Sequence, residues 1–79
     1  MARDFYAEAE EIAAGLVADG LVDEAGSLRN VTASGATATE ILMGMRWHLR
    51  NVDHANKTTN RDLERRVREL IAKLDKVLS

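Results

Sequence analysis

Metal binding is the first chemistry to test against the sequence, because the chain contains two histidines, His48 and His54. They lie six residues apart, which on a helix is about 240° of rotation, so one straight helix cannot direct both at one ion. The chain has no cysteine, and neither a Glu-x-x-His nor a His-x-x-x-His pattern occurs. We therefore predict structural or surface roles for both histidines, no metal site and no cofactor.

Nucleophilic and acid/base catalysis have equally little to work with. None of the three serines stands in a nucleophile elbow, and the five glycines form no phosphate-binding loop. Adjacent carboxylates at 10–11 and 23–24 would point about 100° apart on a helix. This geometry favours solvated side chains over a catalytic pair, and a chain this small has little room for a large pocket. The sequence predicts a protein that is not an enzyme.

Length and composition limit the remaining classes. The 79 residues carry a net charge of -2, and no apolar run approaches the length of a membrane span. The first residues do not read as a signal peptide, so we expect a cytoplasmic protein without a membrane partner. Apolar residues make up 46% of the chain, but a third of them are alanine, which leaves limited material for a core. We expect one domain over residues 1–79.

Apolar spacing predicts two helices in the first half of the chain. Over residues 4–19, apolar residues share one face, Asp4 fits an N-cap, and Gly20 suits the left-handed residue that ends a helix. Residues 21–31 predict a weaker, short or irregular helix, because Gly26 and Ser27 lie inside it.

The second half carries stronger helical patterns. Thr37 and Glu40 fit a capping box before a helix at 38–53, with residues 53–59 as a loop. Residues 60–78 repeat apolar positions at alternating spacings of four and three. We name four of these positions the C-terminal seam: Leu63, Val67, Leu70 and Leu74. The predicted fold is all-α, a small three- to four-helix bundle with a long C-terminal amphipathic helix.

Two apolar residues of the helix at 38–53 lie away from its core stripe. With Ile41 at 0°, the stripe centres near about 50°, whereas Met43 falls at about 200° and Trp47 at about 240°. Either this helix is sandwiched within the bundle, or Met43 and Trp47 contact a second copy or a different protein. Arg50 would then contribute to a polar rim around them.

Charge is divided unevenly along the chain. Residues 1–45 hold eight acidic residues and two arginines, whereas residues 46–79 hold nine basic and five acidic residues. One interpretation is that the acidic first helix packs against the basic last helix. The alternative is nucleic-acid binding, through the arginine cluster Arg61, Arg65, Arg66 and Arg68. A helix-turn-helix at 21–53 is a weaker form of this alternative, because no Arg, Lys, Asn or Gln lies in the first turn of its second helix.

These patterns favour interaction over catalysis. We expect a small helical interaction or regulatory module that associates with itself, most simply as a homodimer, since short chains often gain stability that way. A different protein partner is the second possibility, and nucleic acid is disfavoured by the overall acidic charge. The predicted contact residues are Met43, Trp47, Arg50 and the four residues of the C-terminal seam.

Overall fold

The computed structural model describes residues 4–79, and four α-helices account for most of them. Their bounds are α1 (Phe5–Ala18), α2 (Val22–Thr32), α3 (Ala38–Ala55) and α4 (Arg61–Leu78). No strand occurs within this described part of the chain. The predicted all-α bundle is therefore confirmed, with four helices over residues 4–79.

The helices pack in a closed ring, α1 against α2, α2 against α3, α3 against α4, and α4 back against α1. Ion pairs show that neighbours run antiparallel. Glu10 of α1 pairs with Arg29 near the end of α2, at 2.6 Å. Glu8 near the start of α1 pairs with Lys73 near the end of α4, at 3.0 Å. The buried apolar residues of all four helices form one shared interior, in a molecule measuring 31 × 22 × 21 Å.

Local signals start and end the helices largely where the sequence indicates. The Asp4 carboxylate accepts the backbone N–H of Ala7 at 3.1 Å. Thr37 and Glu40 form the predicted capping box. Gly20 has φ 85°, which is the left-handed conformation expected for a helix-ending residue.

One predicted helix is longer than expected, and the weaker second helix forms where the sequence places it. The structure extends α3 to Ala55, so His54 lies in its last turn and not in a loop. The two added residues follow the buried Val52 and Asp53, which pairs with Arg68 at 2.9 Å. The helix ends at Asn56, whose φ is 53°. The second helix is a regular α-helix of 11 residues. Its core residues are fully packed, which outweighs the low helix propensity of Gly26.

All four helices contribute to one core. It contains three alanines, Ala9, Ala13 and Ala25, together with larger apolar residues of every helix. The C-terminal seam belongs to this core, because its four residues are each at most 5% exposed. In the folded chain, α1 and α3 cover these side chains from either side. The seam is thus filled within the chain and is not part of its surface, and we remove all four of its residues from the candidate partner contacts: Leu63, Val67, Leu70 and Leu74.

Candidate functional site

The outer face of α3 carries the largest exposed apolar side chains of the predicted site. Met43 is 50% exposed and Trp47 is 61% exposed. Of the two alternatives left by the sequence, burial of both residues in a sandwiched α3 does not hold. Helices α2 and α4 flank α3 on two sides, and no helix of the described chain covers its outer face. With the exposed residues Glu40 and Arg50, which lie on the same side, Met43 and Trp47 form what we name the α3 surface.

The charged ends of the α3 surface are anchored within the chain. Arg50 and Arg46 both donate to the carboxylate of Asp75 on α4, at 2.8 and 3.1 Å. The Glu40 carboxylate accepts the backbone N–H of Thr37 at 3.3 Å and its hydroxyl at 2.9 Å. Both charged side chains are therefore held near the helix while remaining exposed to a partner.

The ring of His48 contacts the ring of Trp47. The two rings meet edge to face, with centroids 4.9 Å apart and planes at 87°. Partial burial lowers the pKa of His48, because desolvation disfavours the protonated imidazole. The His48 ring is consequently neutral at neutral pH, and its edge-to-face contact with Trp47 is one of the favourable geometries of aromatic pairs.

A groove runs between α2 and α3 next to this ring pair. Its volume is about 350 Å³, and its walls include Asp23, Glu24, Ser27, Asn51 and the rings of residues 47 and 48. This size reaches the lower end of the range for small-ligand pockets, which is more room than we expected for so short a chain. The groove is open to solvent along the helices. Its lining includes the Ser27 hydroxyl and the His48 imidazole, but no hydrogen bond of the described chain joins them as a nucleophile and its base.

Gly44 lies on the side of α3 that faces α2. A Cβ atom added there would stand 3.1 Å from a methyl group of Val31. The close approach that this glycine permits is therefore between α2 and α3 of the same chain. This glycine therefore acts within the bundle and is not one of the four residues of the α3 surface.

The arginine cluster lies along α4, and most of it is paired with carboxylates. Arg65 contacts Asp62 at 2.9 Å, and Arg66 contacts Glu11 of α1 at 3.6 Å. Arg68 contacts Asp53 of α3, and the resulting hydrogen bond raises its pKa.

Arg61 is exposed and makes no ion pair with the residues that the structure describes. The cluster is thus partly neutralised by neighbouring acids. This reduces its positive potential toward a phosphate backbone.

The acidic first helix packs against the basic last helix within the chain, as one interpretation of the charge division holds. Glu8 pairs with Lys73, and Glu11 pairs with Arg66. The Glu11–Arg66 pair is exposed and the Glu8–Lys73 pair is half-buried. Ion pairs at the surface contribute little stability individually. Their consequence is positional, since they fix which way α1 and α4 face each other.

An unpredicted contact joins the two turns at one end of the bundle. Thr59 donates its backbone N–H to the Asp19 carboxylate at 2.8 Å and its hydroxyl to the other oxygen. These hydrogen bonds lower the pKa of Asp19. The turn after α1 is thereby tied to the loop before α4, and residues forty apart in sequence gave no local signal of this contact.

The described residues offer few other chemistries. Within residues 4–79, no group of three or more His, Cys, Asp or Glu side chains is placed to hold a metal ion. No helix in this range is long and apolar enough to cross a membrane. The connection before α3 covers residues 33–37, which is longer than the turn of a usual helix-turn-helix.

Comparison with known proteins found no matching family model, no similar curated protein and no similar solved structure. Sequence reasoning identified Met43, Trp47 and Arg50, and the structure places all three on one exposed face. Sequence reasoning did not include Glu40 in this face, because the capping box with Thr37 already accounted for a glutamate at that position.

Proposed function

We propose that this protein is a helical interaction module that associates with itself through the α3 surface, most simply as a homodimer. The observation that carries the proposal is the exposure of its single tryptophan, at 61%, beside a half-exposed methionine. Removing apolar surface from water lowers the free energy by about 25 cal/mol per Å². A chain with only three aromatic residues has left its largest one outside its own core.

The chemistry of the α3 surface supports a protein partner. Tryptophan is enriched among residues that dominate binding energy at interfaces, and methionine adapts its shape to a partner. Glu40 and Arg50 stand on either side of this apolar pair as a charged rim, which is the usual arrangement around a buried interface centre. A second copy is the simplest partner, because most soluble oligomers are symmetric assemblies of one chain.

Sedimentation of the purified chain over a range of concentrations tests this proposal. We expect wild type to associate beyond its monomer mass of 8.7 kDa. Trp47→Ala should weaken association by roughly 30-fold, the effect of losing an interface hot spot. Val22→Ala provides a matched control, because Val22 is equally exposed at 61% but lies on α2 outside the α3 surface.

Two results contradict the proposal. A wild-type chain that sediments as a monomer at every concentration excludes self-association. Association that survives Trp47→Ala unchanged shows that another surface mediates it. Circular dichroism of each variant confirms that the fold is retained, which we expect because the tryptophan side chain is mostly outside the core.

Nucleic-acid binding is the second candidate function, and Arg61 is the observation in its favour. This guanidinium shares the exposed side of α4 with Arg65 and Arg68, next to Thr58 and Thr59. Support for this function requires a mobility shift with DNA or RNA that weakens as salt is raised. It also requires Arg61→Ala to reduce that shift while Trp47→Ala does not.

A further inference from the structure

The α3 surface has an internal symmetry in its residue order. Glu40, Met43, Trp47 and Arg50 follow one another at spacings of three, four and three. Position 45 is therefore the midpoint both of the apolar pair and of the charged pair. All four residues are exposed, and the two outer ones carry opposite charge. A surface of this kind is complementary to a reversed copy of itself.

We infer that two copies of this protein pack α3 against α3 in antiparallel orientation, centred on position 45; this inference rests on the self-association proposed above. In this register, Met43 faces Trp47 of the partner subunit, and Glu40 faces Arg50 of the partner subunit. The two-fold axis repeats each contact, so the interface contains two apolar contacts and two ion pairs. The helix dipoles also run in opposite directions, which is favourable for adjacent helices.

Charge selects this orientation over the parallel one. The charged residues are about 15 Å apart along α3, from a rise of 1.5 Å per residue. In a parallel pair, each Glu40 would face the other Glu40 and each Arg50 the other Arg50. Like charges placed opposite each other at an interface are unfavourable, whereas the antiparallel register pairs opposite charges at both ends.

The contacts within each chain leave these two side chains able to reach a partner. Asp75 accepts from Arg46 as well as from Arg50, so it stays paired when Arg50 turns outward. A guanidinium has five N–H donors, and the bond to Asp75 uses one terminal nitrogen of Arg50. On Glu40, the bonds from Thr37 converge on Oε1, and a carboxylate has a second oxygen that can accept a guanidinium.

Charge reversal in separate chains provides the test. In the inferred register, Glu40→Arg places two arginines opposite each other at both ends, and Arg50→Glu places two glutamates there. Each variant should associate with itself about tenfold more weakly than wild type, because two favourable pairs become repulsive. An equimolar mixture of the two variants restores opposite charges at both ends, so association should return to within about threefold of wild type.

Two controls separate the interface from the fold. Glu40→Gln keeps the capping interaction with Thr37 and removes the charge, so it distinguishes loss of the cap from loss of the ion pair. Salt provides the second control. Raising the ionic strength should weaken association of wild type and strengthen that of each charge-reversed variant, because screening reduces both attraction and repulsion.

The outcomes distinguish this inference from the proposed function. If wild type does not associate, or if Trp47→Ala has no effect, the proposed function fails and the register fails with it. If association requires Trp47 but both charge-reversed variants keep wild-type affinity, the register is overturned and self-association stands. In a parallel pair, like charges already face each other in wild type, so each charge-reversed variant would also keep wild-type affinity. The mixture of the two variants would then associate more tightly than wild type, because it alone places opposite charges together.

Discussion

Replacing Leu74 with alanine tests whether the C-terminal seam is filled within one chain. Leu74 is 0% exposed in the core, whereas Val77, three residues later on α4, is 55% exposed. Leu74→Ala and the control Val77→Ala each shorten an apolar side chain on this helix. They differ in whether the removed atoms are packed, so the pair isolates the contribution of burial.

The expected magnitude follows from this difference in burial. Truncating a buried leucine to alanine costs about 2–5 kcal/mol, through lost transfer free energy and the remaining cavity. Val77→Ala should change the free energy of unfolding by no more than about 0.5 kcal/mol, as surface substitutions usually do. A chain of this length has a total stability of about 4–12 kcal/mol, so Leu74→Ala removes a large part of it.

Urea unfolding followed by far-ultraviolet circular dichroism measures both values. The Trp47→Ala background should be used at low and at high protein concentration, so that association through α3 does not contribute. If the seam is filled within the chain, the loss caused by Leu74→Ala is the same at both concentrations. A loss below about 1 kcal/mol, or one that depends on concentration, refutes our assignment of the seam to the core.

Two further predictions concern stability. Gly26→Ala should stabilise the protein by about 0.5–1 kcal/mol, because alanine favours the helix and the added Cβ meets no other atom. Gly20→Ala should destabilise it, because φ is 85° at that position. Urea unfolding of both variants checks the opposite signs. The folded-state pKa of His48 lies below its ordinary value of 6.5, so the unfolded chain binds more protons between the two values and stability falls as pH drops through that window. Wild type should therefore lose more stability than His48→Gln between about pH 7.5 and pH 5, and equal losses would contradict this prediction.

The helices could be predicted because their signals are local. The capping box at Thr37 and Glu40 and the left-handed Gly20 each involve residues a few positions apart, and the structure shows both. The second helix appears weaker in the sequence because helix propensity includes the cost of Gly26 but not the stabilisation that comes from tertiary packing. Complete burial of Ala25 and Leu28 supplies the missing stabilisation.

The candidate site was only partly predictable, for a related reason. Periodicity shows which residues share a face, but it does not show what covers that face. The C-terminal seam was therefore assigned to a partner, although α1 and α3 cover it within the chain. For Met43 and Trp47 the same ambiguity was resolved in the opposite direction, because the ring of four helices leaves the outer side of α3 uncovered.

The exposed position of Trp47 also determines what the fluorescence of this protein can report. It is the only tryptophan, and most of its surface faces water both in the folded monomer and in an unfolded chain. Its fluorescence should consequently change little when the bundle unfolds. Emission should shift to shorter wavelength when another surface excludes water from the indole. Trp47 fluorescence is thus an intrinsic probe of binding at α3 that responds little to unfolding.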